Sequence, residues 1–200
     1  IGLATATSVY GPWTRPGKPV LDIRPDKWDA SVVTNPAPCV LEDGSILLYY
    51  RSNYQGRCRI GVAEAARLGE PFVRLRDDPV FDFGAEDHIE DPFVWWSDDH
   101  FEMIAKDLNG GITGERHAGV HATSPDGIEW TLSDPVKAYS RRVIWDNGAV
   151  TVQGSLERPQ LLFEHGEPSH LFAATADGPG GFHAAQDTWN MVIPMEREGE

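Results

Sequence analysis

Three prolines in this chain each follow side chains able to do chemistry. Asp91 precedes Pro92 in His88-Ile89-Glu90-Asp91-Pro92-Phe93-Val94-Trp95-Trp96. Glu157-Arg158 precedes Pro159 in Leu156-Glu157-Arg158-Pro159-Gln160-Leu161-Leu162-Phe163. Asn35 precedes Pro36 in Thr34-Asn35-Pro36-Ala37-Pro38-Cys39-Val40-Leu41. Carboxyls can exchange protons, and two of them can divide acid and base work when their surroundings hold them in different protonation states. An amide and a guanidinium can hydrogen-bond hydroxyls. Each polar residue stands at the head of an apolar run, so one structural unit used three times would present all three.

The rest of the chain repeats in step. Ile1-Gly2-Leu3-Ala4-Thr5-Ala6 recurs as Ile60-Gly61-Val62-Ala63-Glu64-Ala65 and as Ala118-Gly119-Val120-His121-Ala122-Thr123. The glycines are 59 and 58 positions apart, and Trp13, Phe72 and Trp130 keep the same two steps. Pro36 to Pro92 is 56 positions and Pro92 to Pro159 is 67, which leaves an inserted loop at about 134–154. Each period holds four short runs separated by turn residues, and none carries a sustained helical period. In the middle copy these are 89–96, 100–105, 117–123 and 129–132. In the first they are 33–41, 45–51, 59–65 and 72–75. In the last they are 156–163, 170–174, 181–184 and 188–194.

Four-stranded units at this period predict an all-β fold, a β-propeller whose innermost strands line a central channel. Proline is tolerated at the first residues of a strand, where its missing N–H costs little. Asn35, Asp91 and Glu157/Arg158 then meet around one axis. The count gives a single domain over residues 1–200, with a partial blade at about 1–30 and full blades at 31–80, 86–135 and 154–195. Because a propeller closes to hide its edges, this count reads as the C-terminal portion of a longer protein, or as a chain that pairs with an N-terminal segment or another chain.

Bulk composition narrows the partners. Two hundred residues with 40% hydrophobic content suit a globular domain. A net charge of −14 opposes binding to nucleic acid and to anionic membranes. The seven Trp and five Tyr mostly suit sheet packing, and one or two could stack on a sugar. Cys39 and Cys58 fall on non-neighbouring strands and are expected to be free thiols.

These motifs resemble the five-bladed propeller glycoside hydrolases of the furanosidase superfamily, chiefly family 43 (β-xylosidases and α-L-arabinofuranosidases). The resemblance is carried by Ile89-Glu90-Asp91-Pro92 and Glu157-Arg158-Pro159, with Ser124-Pro125-Asp126-Gly127-Ile128-Glu129-Trp130 in support. It implies cleavage of a glycosidic bond in a plant or algal oligo- or polysaccharide, with inversion. Asp91 takes the orienting and pKa-tuning role, and Glu157 that of general acid with a raised pKa. The family's base projects ahead of Ile1, because Asn35 occupies the intervening blade and cannot serve. No cofactor is implied beyond a structural calcium in the channel, and the substrate class favours a periplasmic or extracellular setting. A phosphorolytic propeller and a non-catalytic carbohydrate-binding or interaction propeller remain alternatives, because fold alone does not assign function.

Substrate-binding candidates follow from position. Asn35 reads as a channel-lining hydrogen-bonder or as a plain cap. His88 stands beside the acids, as ligand contact or as a structural histidine. Arg51 and Lys106 end the second strands of successive blades, where each reaches a ligand or merely solvates a loop. Arg158 completes the set. It is expected to point away from Glu157, and Glu90 away from Asp91, because neighbours on a strand alternate. Arg116 and His117 begin a strand after a Gly-rich loop.

Overall fold

The computed structural model describes residues 1–82, 87–178 and 180–195. Strands β1 (Thr34–Val40), β2 (Ile46–Tyr54), β3 (Arg57–Ala65) and β4 (Val73–Arg74) form one antiparallel sheet in that order. Strands β5 (Ile89–Ser97), β6 (His100–Asp107), β7 (Ala118–Ser124) and β8 (Thr131–Tyr139) form a second. A small hairpin follows, β9 (Arg142–Ile144) with β10 (Val150–Val152). The last sheet joins β11 (Ser155–Glu164), β12 (Glu167–Ala176) and β13 (Thr188–Pro194). β1 packs beside β5, and β5 beside β11. The three Pro-led strands are therefore the inner edges of successive sheets, as the repeat predicts.

The repeated glycine has a packing reason. A Cβ on Gly61 would lie 2.4 Å from the Tyr50 ring, and one on Gly119 would lie 2.3 Å from the Tyr139 ring. Each glycine lets an aromatic side chain lie flat across its strand. Tyr50 stacks on Trp28 with ring centroids 5.9 Å apart. Its hydroxyl donates to Asp29, which is fully buried and also holds Arg24 and Arg74 at 2.9 and 2.6 Å. That cluster ties the N-terminal residues to the first sheet. Between the first two sheets, Tyr49 donates to the Gly127 carbonyl at 2.7 Å within the main apolar core.

Among residues 1–30 the described β pairing is a single bridge, Thr5 to Thr14. Two expectations change. The last sheet has three strands: Gly181–Ala184 is a turn of 3-10 helix, and β13 pairs directly with β12. Gly180-Gly181 there favours a tight turn over an extended run. The segment expected as an inserted loop is instead the end of β8 followed by the β9–β10 hairpin. Residue 86, where a blade was expected to begin, lies outside the described residues. Cys39 and Cys58 are buried free thiols on β1 and β3.

Candidate active site

Each inner strand breaks its pairing register at its proline. The shifts fall between Thr34 and Ala37, Glu90 and Phe93, and Glu157 and Gln160. At each break the residue before proline has positive φ: 49° at Asn35, 55° at Asp91 and 53° at Arg158. Non-glycine residues adopt this conformation rarely, at a cost of about 1–3 kcal/mol, and it clusters at functional sites. The result is a bulge that ends strict alternation of side chains. Glu90 and Asp91 therefore reach the same place, against the expectation that Glu90 turns away.

That place is the ammonium of Lys106, from the end of β6. It lies 2.8 Å from Glu90 Oε1 and 3.4 Å from Asp91 Oδ2, and it also hydrogen-bonds Glu157 Oε2. The Lys106 side chain is only 2% exposed. Burying an ammonium is costly unless opposite charges surround it, and three carboxylates do so here. Although burial works against its charged form, Asp91, Glu157 and Glu90 hold the Lys106 pKa above its ordinary value.

The carboxyls are driven apart. Burial pushes the Asp91 pKa up. Lys106 opposes that rise, and Glu90 adds to it. Burial also acts upward on Glu157, but His117 and Lys106 outweigh it and bring its carboxyl down to about 2. The raised pKa expected of Glu157 is thus corrected, because Lys106 turns inward to pair with it.

Around this centre the Asn35 amide donates to Asp91 Oδ1. Arg51 lies 3.3 Å from Glu90 Oε2 and donates to Asn53 at 2.6 Å. Arg158 gives its backbone N–H to Asp91 Oδ2 at 3.3 Å, while its guanidinium lies 3.8 Å from Oδ1 and is 64% exposed. Asn35, Pro36, Asp91, Pro92, Arg158 and Gln160 line a cavity of about 160 Å³. His88 faces β3 instead, where its Nδ1 accepts the Cys58 N–H at 3.3 Å.

His117 enters from the Gly-rich loop, where sequence reading assigned it no role. The buried Asp107 carboxylate organises that loop by accepting the N–H groups of Gly110, Ile112 and Thr113 at 2.8, 3.0 and 2.8 Å. The Asp107 carbonyl accepts the His117 N–H at 2.7 Å. This sets His117 Nδ1 3.5 Å from Glu157 Oε1. The buried Tyr139 hydroxyl lies close enough to Asp91 and Glu157 that, with burial leading, its pKa is raised far beyond the usual phenol range. Glu90, Asp91 and Glu157 offer oxygens within 4.8 Å of one another, a spacing that could hold a metal ion. Lys106 is already the cation among them, so a divalent ion would have to displace it.

No protein-family model and no curated protein matches the chain. Solved structures do. A complex of BT0996 with RGII is 14% identical, with TM-score 0.72 over 99% of this chain and 57% of that one. A thermostable family-43 glycoside hydrolase is 16% identical, with TM-score 0.67 over 99% and 64%. Zg3597, a family 117 glycoside hydrolase from Zobellia galactanivorans, is 17% identical, with TM-score 0.59 over 96% and 49%. The fold is that of the glycoside hydrolase propellers.

The chain spans less than two thirds of each of these propellers. The sequence-predicted Asn35, Asp91, Glu157 and Arg158 on the inner strands are connected through shared contacts with Arg51 on β2 and Lys106 on β6, and His88 is turned to a neighbouring strand. Glu90 and His117 join the cluster as additions. The signal for Glu90 was its place beside Asp91 in the Pro-led motif. For His117 it was a strand start after a loop rich in glycine.

Proposed function

We propose that the chain carries the acid-bearing part of a glycoside hydrolase acting on a plant or algal oligo- or polysaccharide, with inversion. The supporting observation is the convergence of Asp91 and Glu157, from neighbouring inner strands of this fold, beside a cavity edged by hydrogen-bonding side chains. In this reading Glu157 gives its proton to the departing glycosidic oxygen. Asp91 orients the sugar and raises the proton affinity of Glu157 by its charge. Asn35 and the exposed Arg158 hydrogen-bond sugar hydroxyls in the cavity.

The spacing bears on this division of roles. Oxygens of the two carboxyls come within 4.8 Å, closer than the ~6.5–9.5 Å that leaves room for a water between acid and base in inverting enzymes and near the ~5–5.5 Å of a retaining pair. An inverting reading therefore keeps Asp91 as a neighbour of the acid and takes its water-activating base from another group.

The test is hydrolysis of a panel of aryl glycosides, with leaving groups from poor (phenyl) to good (2,4-dinitrophenyl), by the full-length protein. Asp91→Asn and Glu157→Gln should each lower turnover by about 10²–10⁴-fold on substrates with poor leaving groups. For Glu157→Gln the defect should shrink sharply with a 2,4-dinitrophenyl leaving group, which departs without a proton. Near-wild-type turnover by Glu157→Gln on a poor leaving group would exclude it as the acid. Turnover that needs inorganic phosphate would assign the site to phosphorolysis.

A further inference from the structure

A general acid must hold a proton, yet two cationic or hydrogen-bonding neighbours favour the ionised form of Glu157 in this structure. Lys106 is the neighbour with somewhere else to go. Its ammonium touches carboxylates on two strands: Glu157 on β11, and Glu90 and Asp91 on β5 at 2.8 and 3.4 Å. A small turn of the Lys106 side chain toward β5 keeps it paired while releasing Glu157. Glu90 is held for that purpose. Its second oxygen lies 3.3 Å from Arg51, and the Cys58 thiol donates to it at 3.7 Å. It lies outside the residues that line the cavity beside Asp91.

We propose that Lys106 and Glu90 are positioning residues that set the proton occupancy of Glu157: Lys106 bound to Glu157 keeps the acid ionised, and Lys106 drawn toward Glu90 lets it load a proton. The inference rests on the glycosidase reading for its catalytic meaning. The loading step is a simple protonation. Solvent supplies H⁺ to the Glu157 carboxylate, its charge pairing with Lys106 is lost, and Lys106 stays neutralised by Glu90 and Asp91. The released carboxyl keeps His117 at 3.5 Å, which still lowers its proton affinity, against burial and the remaining carboxylates, which raise it. The charged and titratable groups facing this centre include Arg51 on β2, Cys58 on β3, Glu90 and Asp91 on β5, His117 ahead of β7, Tyr139 on β8 and Arg158 on β11. Among them Glu90 binds the Lys106 ammonium at 2.8 Å and also pairs with Arg51, which suits it to the part of alternative anchor.

Glu90→Gln separates this role from a structural one. It keeps the side chain's size and removes the charge that draws Lys106 from Glu157. In the full-length protein it should slow hydrolysis of an aryl glycoside with a poor leaving group by about tenfold or more, and shift the basic limb of the kcat/KM profile to lower pH. Hydrolysis of the matching 2,4-dinitrophenyl glycoside should be slowed several-fold less, because that reaction needs no acid. Equal slowing of both substrates, or of neither, overturns the proposal.

A second measurement stands apart from activity. Carbon-detected NMR titration of the Glu157 carboxyl should show its pKa higher by about two units or more in Lys106→Met than in wild type. An unchanged titration overturns the proposal, and so does a fall. Should Lys106→Met not fold, the pair of substrates with Glu90→Gln decides. Should the wild-type protein cleave no glycoside, the function reading fails, and the NMR titration still decides whether Lys106 governs Glu157.

Discussion

At Glu157 the ion pair with Lys106 is a statement about stability as well as chemistry. Its carboxyl titrates at about 2 in the fold against an ordinary value of 4.5. A depressed carboxyl contributes stability that is present above its unfolded pKa and lost as pH falls through its folded one. That contribution is lost as pH falls from about 5 toward 2. Asp91 has the opposite sign: with its pKa raised by burial, its contribution is present at low pH and lost as pH rises through the folded value. Urea midpoints measured across this range should fall for the wild type and fall less for Glu157→Gln. Identical slopes in the two proteins would remove Glu157 from the account. None of this was legible from residue types alone. Lys106 after a strand reads equally as a solvated side chain, and only the register of β6 against β5 turns it inward between three acids.

At the scale of the strand, the Pro-led motif was legible as position but not as conformation. Its recurrence located β1, β5 and β11 as inner strands, because proline is confined to strand starts, edges and bulges. The residue before a proline is ordinarily pushed toward extended backbone, and alternation then sends Glu90 away from Asp91. The structure instead bulges at all three prolines, with positive φ at Asn35, Asp91 and Arg158. Each is over-determined by contacts, as in the Asn35 amide and the Arg158 N–H that both hold Asp91. The repeated glycines are a second element-level device, legible as a period but not as a cause. Gly61 and Gly119 give space to Tyr50 and Tyr139. Overpacking such a site costs about 1–3 kcal/mol. Thermal melts should therefore place Gly61→Ala and Gly119→Ala below wild type by that amount. Gly119→Ala should also impair activity, since the Tyr139 hydroxyl lies within electrostatic reach of Asp91 and Glu157. A melt unchanged by either substitution would mean the tyrosines have room to move.

At the scale of the molecule, the cluster exists because separate sheets are held side by side. The repeat made that adjacency legible. The failures lie where the chain leaves its period, at Gly181–Ala184 and in the β9–β10 hairpin, where local turn and hairpin geometry takes over. Between the second and third sheets, Phe93, Trp95 and Phe163 form an aromatic group with ring centroids 5.8, 5.9 and 6.5 Å apart. Trp95 thus serves packing between sheets, while Trp96 lies on Phe101 of its own sheet at 4.7 Å. Asp91 and Phe93 share β5, and Glu157 and Phe163 share β11, so this aromatic contact helps fix the distance between the two acids. Aromatic pairs contribute about 0.5–1.5 kcal/mol beyond their buried area. A double-mutant cycle of Trp95→Ala with Phe163→Ala should show a coupling of that size, since residues in contact depart from additivity. Each single change should also lower kcat on poor-leaving-group glycosides more than it raises KM, because loosened sheets misplace Glu157 without emptying the cavity beside Asp91. Strict additivity in the cycle, with kcat intact, would mean that the strand bulges alone set the spacing of the acids.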